Sequence, residues 1–139
     1  IIWIFSRNLE CIKLLYNNLG RATVFFEEIF GAKEVYSSGD KKFSLSKEKF
    51  FLINDIWIAV MEGEGIEKSY NHLAFKIDES DYEMYLKRIE NLGLEIKPGR
   101  KRVTGEGNSI YFYDYDNHLF EFHTGTLEDR LLRYGVQLK

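Results

Sequence analysis

The stretch from Arg100 to Arg130, RKRVTGEGNSIYFYDYDNHLFEFHTGTLEDR, decides how this chain is read. It passes from a basic, glycine-bearing loop into two aromatic runs, SIYFYD and HLFEFH, joined across the turn YDN. Such runs on either side of turn formers predict a β-hairpin. Thr126 stands where an N-cap belongs, so TLEDRLLRY closes the chain as a helix over about 126–134. Inside the second strand one acid, Glu121, sits between Phe120 and Phe122. A lone carboxylate in an apolar strand costs several kcal/mol unless it is paired or bound.

Working outward, a second motif of the same kind precedes the hairpin. YNHLAFKI predicts a strand, and DESDYEMYLKRIENLG a helix. Ser80 and Glu83 have capping-box spacing, Tyr82, Leu86 and Ile89 line an apolar face, and Gly93 ends the helix. LEIK follows as a strand. Further upstream, RATVFFEEIFG predicts a helix that buries Ala22, Phe25, Phe26 and Ile29 and stops at Gly31. AKEVYSS, KFSLSKEKFFLI and IWIAVME then read as strands, with a turn at SGDKK. Residues 1–19 fit a helical stripe (Ile1, Ile4, Phe5, Leu9, Ile12, Tyr16) and also a strand through Cys11–Leu15.

Set side by side, the halves repeat. CIKLLYNN–helix–GAKEVY resembles HLAFKIDE–helix–GLEIK, with Cys11 matching His72 and Gly31 matching Gly93. The fold class is therefore α+β, one domain over 1–139 made of two βαβββ modules, about 9–62 and 70–123, plus the C-terminal helix. Two curved sheets of this kind can enclose a cleft.

Composition narrows the function. Apolar residues make up 45% and aromatics 16%, enough for a packed core. A net charge of −3 argues against a nucleic-acid binder. Cys11 is the only cysteine, which excludes an intrachain disulfide and makes a reducing, cytoplasmic setting the expectation. No apolar run reaches membrane-spanning length, so no membrane partner is expected.

The residues leave alternatives. An imidazole and a carboxylate meeting in a concave sheet, His72 and Glu121, suit a divalent ion such as Mn²⁺, Fe²⁺ or Zn²⁺. The plainer readings are a hydrogen-bonded core histidine and a carboxylate paired with Arg130. His118 reads as a turn residue, and His123, on the face of Glu121, as a polar edge residue or a partner behind the metal ligands. Lys97, Arg100, Lys101 and Arg102 are either solvated surface or, with the glycines of TGEGNS, an anion loop. Glu48 is either an exposed strand charge between Lys47 and Lys49 or a general base on water.

YSSGDKKFSLSKEKFFLI, YNHLAFKI and GEGNSIYFYDYDNHLFEFHTGTLEDRL resemble the fosfomycin-resistance proteins, and more narrowly the FosX-type hydrolases of the vicinal-oxygen-chelate, glyoxalase-like superfamily. The resemblance runs from about residue 19 to the C-terminus. It implies a dimer with exchanged modules and Mn²⁺ held by two histidines and a glutamate. The second histidine falls on His72, the glutamate on Glu121, and the first histidine position on Cys11, with Lys13 replacing a threonine. It implies Glu48 as the base that sends water to the epoxide. Ser109, Tyr111 and Arg130 fall at the phosphonate, Tyr70 and Trp57 on the substrate side, and Arg100, Lys101 or Arg102 supplies the loop cation. A thiol transferase of the same family and a non-catalytic small-anion module are the alternatives.

Overall fold

The computed structural model describes residues 8–100 and 104–136. The apolar residues Ile1, Ile4 and Phe5 and the loop cations Lys101 and Arg102 lie outside the described residues. The chain divides after Gly65 into two compact units.

In the first unit, β1 (Cys11–Tyr16), α1 (Leu19–Phe30), β2 (Lys33–Ser37), β3 (Glu48–Ile53) and β4 (Ile56–Glu62) form a sheet in the order β1-β4-β3-β2. From Cys11 on, the strand reading of the opening segment holds, because β1 has a parallel partner in β4. Asn18 caps α1 by accepting the Arg21 N–H at 3.0 Å, and Gly31 takes the left-handed φ of 60° that closes it. Ala22, Phe25, Phe26 and Ile29 are buried as expected, with Phe26 stacked on Phe51 at 5.3 Å. Lys49 reaches back to Thr23 of α1 at 2.9 Å, so it lies on the helix face. Strand alternation then puts Glu48 on the opposite face with Phe50 and Leu52.

One strand is shorter than expected. KFSLSKEKFFLI pairs only from Glu48, and Phe43 and Leu45 stand 74% and 92% exposed in a bend. The cause is the length of β2, whose last residue Ser37 faces Lys49, leaving no partner upstream. Ser38 closes the ladder by accepting the Glu48 N–H at 3.0 Å.

In the second unit, β5 (His72–Lys76), a 3-10 turn (Glu79–Asp81), α2 (Tyr82–Asn91), β6 (Ile96–Lys97), β7 (Ser109–Tyr113), β8 (Leu119–His123) and α3 (Leu127–Arg133) follow in order. The sheet order, β5-β8-β7-β6, repeats that of the first unit. The expected capping box at Ser80 and Glu83 does not form: Ser80 is wound into the 3-10 turn, and α2 starts without a side-chain cap. LEIK shrinks to Ile96–Lys97, which pairs with Phe112 and Tyr111. The core is aromatic, with Phe112 on Phe122 at 5.2 Å and Tyr85 of α2 on Phe122 at 4.5 Å. The opposite face of the sheet carries His72, Ser109, Tyr111, Glu121 and His123. Thr126 and Asp129 form a capping box on α3. No helix among the described residues is long and apolar enough to cross a membrane.

The hairpin turn is held by one buried acid. Oδ1 of Asp114 accepts the N–H groups of Asp116 and His118, both at 2.9 Å, and Oδ2 pairs with His118 Nδ1 at 2.7 Å. Asn117 takes the left-handed conformation at φ 69°. His118 is thus an enclosed structural histidine. Replacing Asp114 by Ala strands two backbone N–H groups and the imidazole, and is expected to cost about 2–4 kcal/mol. A urea unfolding midpoint equal to that of the parent would refute the role.

Candidate active site

The site grows from the open face of the second sheet. His72 begins β5 and lies opposite Leu119, two register steps from the Ala74–Glu121 pair and so on the same face of the sheet. Tyr111 of β7 flanks Glu121 on its other side, and Ser109 stands opposite His123. Parallel pairing on one edge and antiparallel pairing on the other thus bring residues 72, 109 and 121 together from three strands.

Hydrogen bonds fix their roles. Nδ1 of His72 lies 2.6 Å from the carbonyl oxygen of Tyr70. A carbonyl only accepts, so that nitrogen carries the proton. Nε2 then faces Oε1 of Glu121 at 3.0 Å, while Oε2 of Glu121 accepts the Ser109 hydroxyl at 2.6 Å. Between a ring nitrogen and a carboxylate oxygen so directed, either a second ring proton or a divalent cation satisfies both groups. A backbone carbonyl behind the imidazole and a hydroxyl behind the carboxylate are the outer partners that metal ligands take. The donor set, one imidazole and one carboxylate, fits a borderline-hard divalent ion. Among the described residues no group of three or more His, Cys, Asp or Glu side chains gathers around a common point.

A cavity of about 250 Å³ opens here, lined by His72, Ala74, Glu121, His123, Thr126, Leu127 and Arg130. Tyr70, 55% exposed, lies against His72 with ring centroids 4.9 Å apart, and Tyr111 meets His72 edge-on at 5.5 Å. The second unit therefore assembles His72, Glu121, Ser109, Tyr111, Tyr70 and Arg130 in one place. Arg130 does not pair with Glu121, as the plainer reading of that acid had it. Its Nε lies 3.4 Å from Glu106, while Glu121 pairs with His72 and accepts from Ser109.

Cys11, Glu48 and Trp57 belong to the first unit. Cys11 opposes Trp57 as His72 opposes Leu119, so each begins the edge strand of its sheet. Burial pushes the Cys11 thiol up from its ordinary value, against a hydrogen bond from the Ala59 backbone and the charge of Lys13. Glu48 opposes Met61 as Ser109 opposes His123. Trp57 Nε1 is buried and makes no hydrogen bond among the described residues.

Two residues of the cavity region escaped sequence reasoning. His123, read as a polar edge residue, lines the cavity. Glu106, in the glycine loop, is buried at 3% exposure. The one sequence signal for Glu106 is an acid placed between two glycines and downstream of four cations.

Residues 8–122 match the family described as Glyoxalase/Bleomycin resistance protein/Dioxygenase superfamily. The chain is 61% identical to the fosfomycin resistance protein FosX of Listeria innocua serovar 6a, over 91% of this chain and 96% of that protein. It is 37% identical to the metallothiol transferase FosB of Bacillus licheniformis, over 85% of this chain and 75% of that protein. Among solved structures, a mutant of FosX from Listeria monocytogenes superposes with a TM-score of 0.85 at 52% identity, covering 94% of this chain and 99% of that one. That protein was crystallised with Mn(II) and 1S,2S-dihydroxypropylphosphonic acid.

Removing the Ser109 hydroxyl frees one oxygen of Glu121 from its anchor. Ser109→Ala is expected to weaken divalent-metal binding about 10- to 100-fold, the usual range for such outer partners. Mn²⁺ titration followed by electron paramagnetic resonance reads this directly, and an unchanged affinity would remove Ser109 as an anchor of Glu121.

Proposed function

Because this chain belongs to the Glyoxalase/Bleomycin resistance protein/Dioxygenase superfamily, and within it to the FosX fosfomycin resistance proteins, we propose that it opens the epoxide of fosfomycin with water, giving the diol and so resistance to the antibiotic. It is a metal-dependent enzyme and Mn²⁺ is its metal. The observation that carries the reading is the Glu121 carboxylate, turned toward His72 by one oxygen and held by Ser109 at the other, in a cavity that Arg130 helps to line.

His72 and Glu121 are the metal ligands of the second unit. Cys11 occupies the register place of His72 in the first sheet and is the candidate third ligand; a thiol is soft and fits Mn²⁺ poorly. When bound, the divalent ion supplies Lewis acidity toward the epoxide oxygen. The remaining work falls to side chains. Arg130, Ser109 and Tyr111 bind and orient the phosphonate, a dianion that a guanidinium grips through parallel hydrogen bonds. Lys101 or Arg102 adds a loop cation, and Tyr70 and Trp57 wall the substrate. Glu48 takes one proton from water as the water oxygen bonds to an epoxide carbon; that carbon's bond to the ring oxygen breaks, and the freed ring oxygen takes up a proton from solvent to complete the diol. Two modules forming one domain, a module-exchanged homodimer and a cytoplasmic location complete the reading.

Glu48→Gln is expected to lower the rate of diol formation at least 100-fold while Mn²⁺ still binds. Hydration at the parent rate would remove Glu48 as the base. Product masses decide the reaction type, since a main product carrying an added thiol would make the protein a transferase instead. Cys11→His is expected to tighten Mn²⁺ binding about tenfold or more by replacing a soft donor with an imidazole. An unchanged affinity would leave Cys11 outside the metal's ligand set.

A further inference from the structure

Glu106 has no part in the roles above, yet its side chain is fully enclosed (0% exposed). A carboxylate taken out of water needs partners to stay charged. Its Oε1 accepts the Tyr134 hydroxyl at 2.7 Å and pairs with Arg130 Nε at 3.4 Å and with Arg100 Nη2. Arg100 Nη1 reaches Oε2 at 3.4 Å, and Arg100 Nη2 also donates to the Tyr134 oxygen at 3.1 Å. Both arginine side chains keep more than a third of their surface in solvent. One buried anion thus draws two cations together and leaves one positive charge over among these side chains.

The backbone of Glu106 is seated as closely as its side chain. A Cβ on Gly125 would stand 2.5 Å from the Glu106 carbonyl oxygen, so only glycine admits this contact. Gly107, at φ 100°, packs on the same segment. That segment leads straight into α3, from which Arg130 projects to the cavity. The Gly105–Gly107 loop and α3 are therefore joined at backbone and side chain together.

We propose that Glu106 is a positioning residue, holding the Arg130 guanidinium at the cavity wall so that it meets the anionic end of the substrate already aimed. The proposal rests on the reading of Arg130 as a phosphonate cation. Arginine is long and loses rotamer freedom when it grips an anion; a fixed carboxylate behind it removes that freedom beforehand. Neutralising Glu106 returns the freedom and sets two guanidiniums against each other around Tyr134.

The test is Glu106→Gln in the Mn²⁺-loaded enzyme, with and without Arg130→Ala. With Arg130 present, KM for fosfomycin and the inhibition constant of inorganic phosphate are expected to rise about three- to fivefold, the upper end for a partly exposed ion pair. The same change should leave kcat within about twofold, the pattern of lost uniform binding. Mn²⁺ affinity by electron paramagnetic resonance should not move. In the Arg130→Ala background, Glu106→Gln should add nothing, because the two act as one unit. Equal losses in both backgrounds, or unaltered constants, overturn the proposal. A silent Arg130→Ala overturns the phosphonate role of Arg130, and this inference with it. A damaging Arg130→Ala beside a silent Glu106→Gln overturns the inference alone. Where Glu106→Gln does not fold, Tyr134→Phe removes one hydrogen bond from the carboxylate and gives the same comparison: a severalfold rise in KM that needs Arg130 supports the proposal, and no rise overturns it.

Discussion

The second unit is built around keeping a carboxylate in an aromatic strand. Glu121 is 4% exposed and flanked by Phe120 and Phe122, whose rings point the other way into the core. Strand alternation lets one strand be oily on one face and charged on the other. The charge is tolerable because both oxygens have partners, from β5 and β7. A slip of one residue in either pairing would turn Glu121 into the phenylalanine layer. The enclosed Asp114–His118 turn that fixes the register of β7 and β8 is therefore what keeps Glu121 beside His72 and Ser109.

Much of the fold was legible because its signals are local. Gly31 at the end of α1, Thr126 at the start of α3 and the turn formers YDN of the hairpin each act within a few residues. The repeat was legible too, since matched strands and glycines recur in order. What failed was set by distant partners. Nothing in KFSLS says that β2 will end before it can pair with that run. Nothing in DESDY says that Ser80 will be spent in a 3-10 turn rather than as a cap.

The site divides along the same line. Glu121 was conspicuous because a charge in an apolar strand is locally anomalous, and His72 followed from the repeat and the family resemblance. Glu106 was invisible because a glycine-rich, charged loop looks like solvated surface until its partners arrive from α3. Arg130 lies 24 positions downstream and Tyr134 28, and only the folded chain brings their side chains to one carboxylate. The same distance hid the acid beside Arg130, which the plainer reading of Glu121 had offered as that carboxylate's partner.

The shared register of the two sheets has a meaning for how the chain arose. Position for position, Cys11 answers to His72, Glu48 to Ser109 and Ala59 to Glu121. If the halves descend from one duplicated module, the copies have since specialised. Where the second carries its buried acid, the first carries a methyl group, 1% exposed. A carboxylate at that place would face the desolvation cost that Glu121 meets, without the serine that relieves it there, since the corresponding position holds Glu48. The first copy thus keeps its strand free of charge at that place and carries its acid on the neighbouring strand instead.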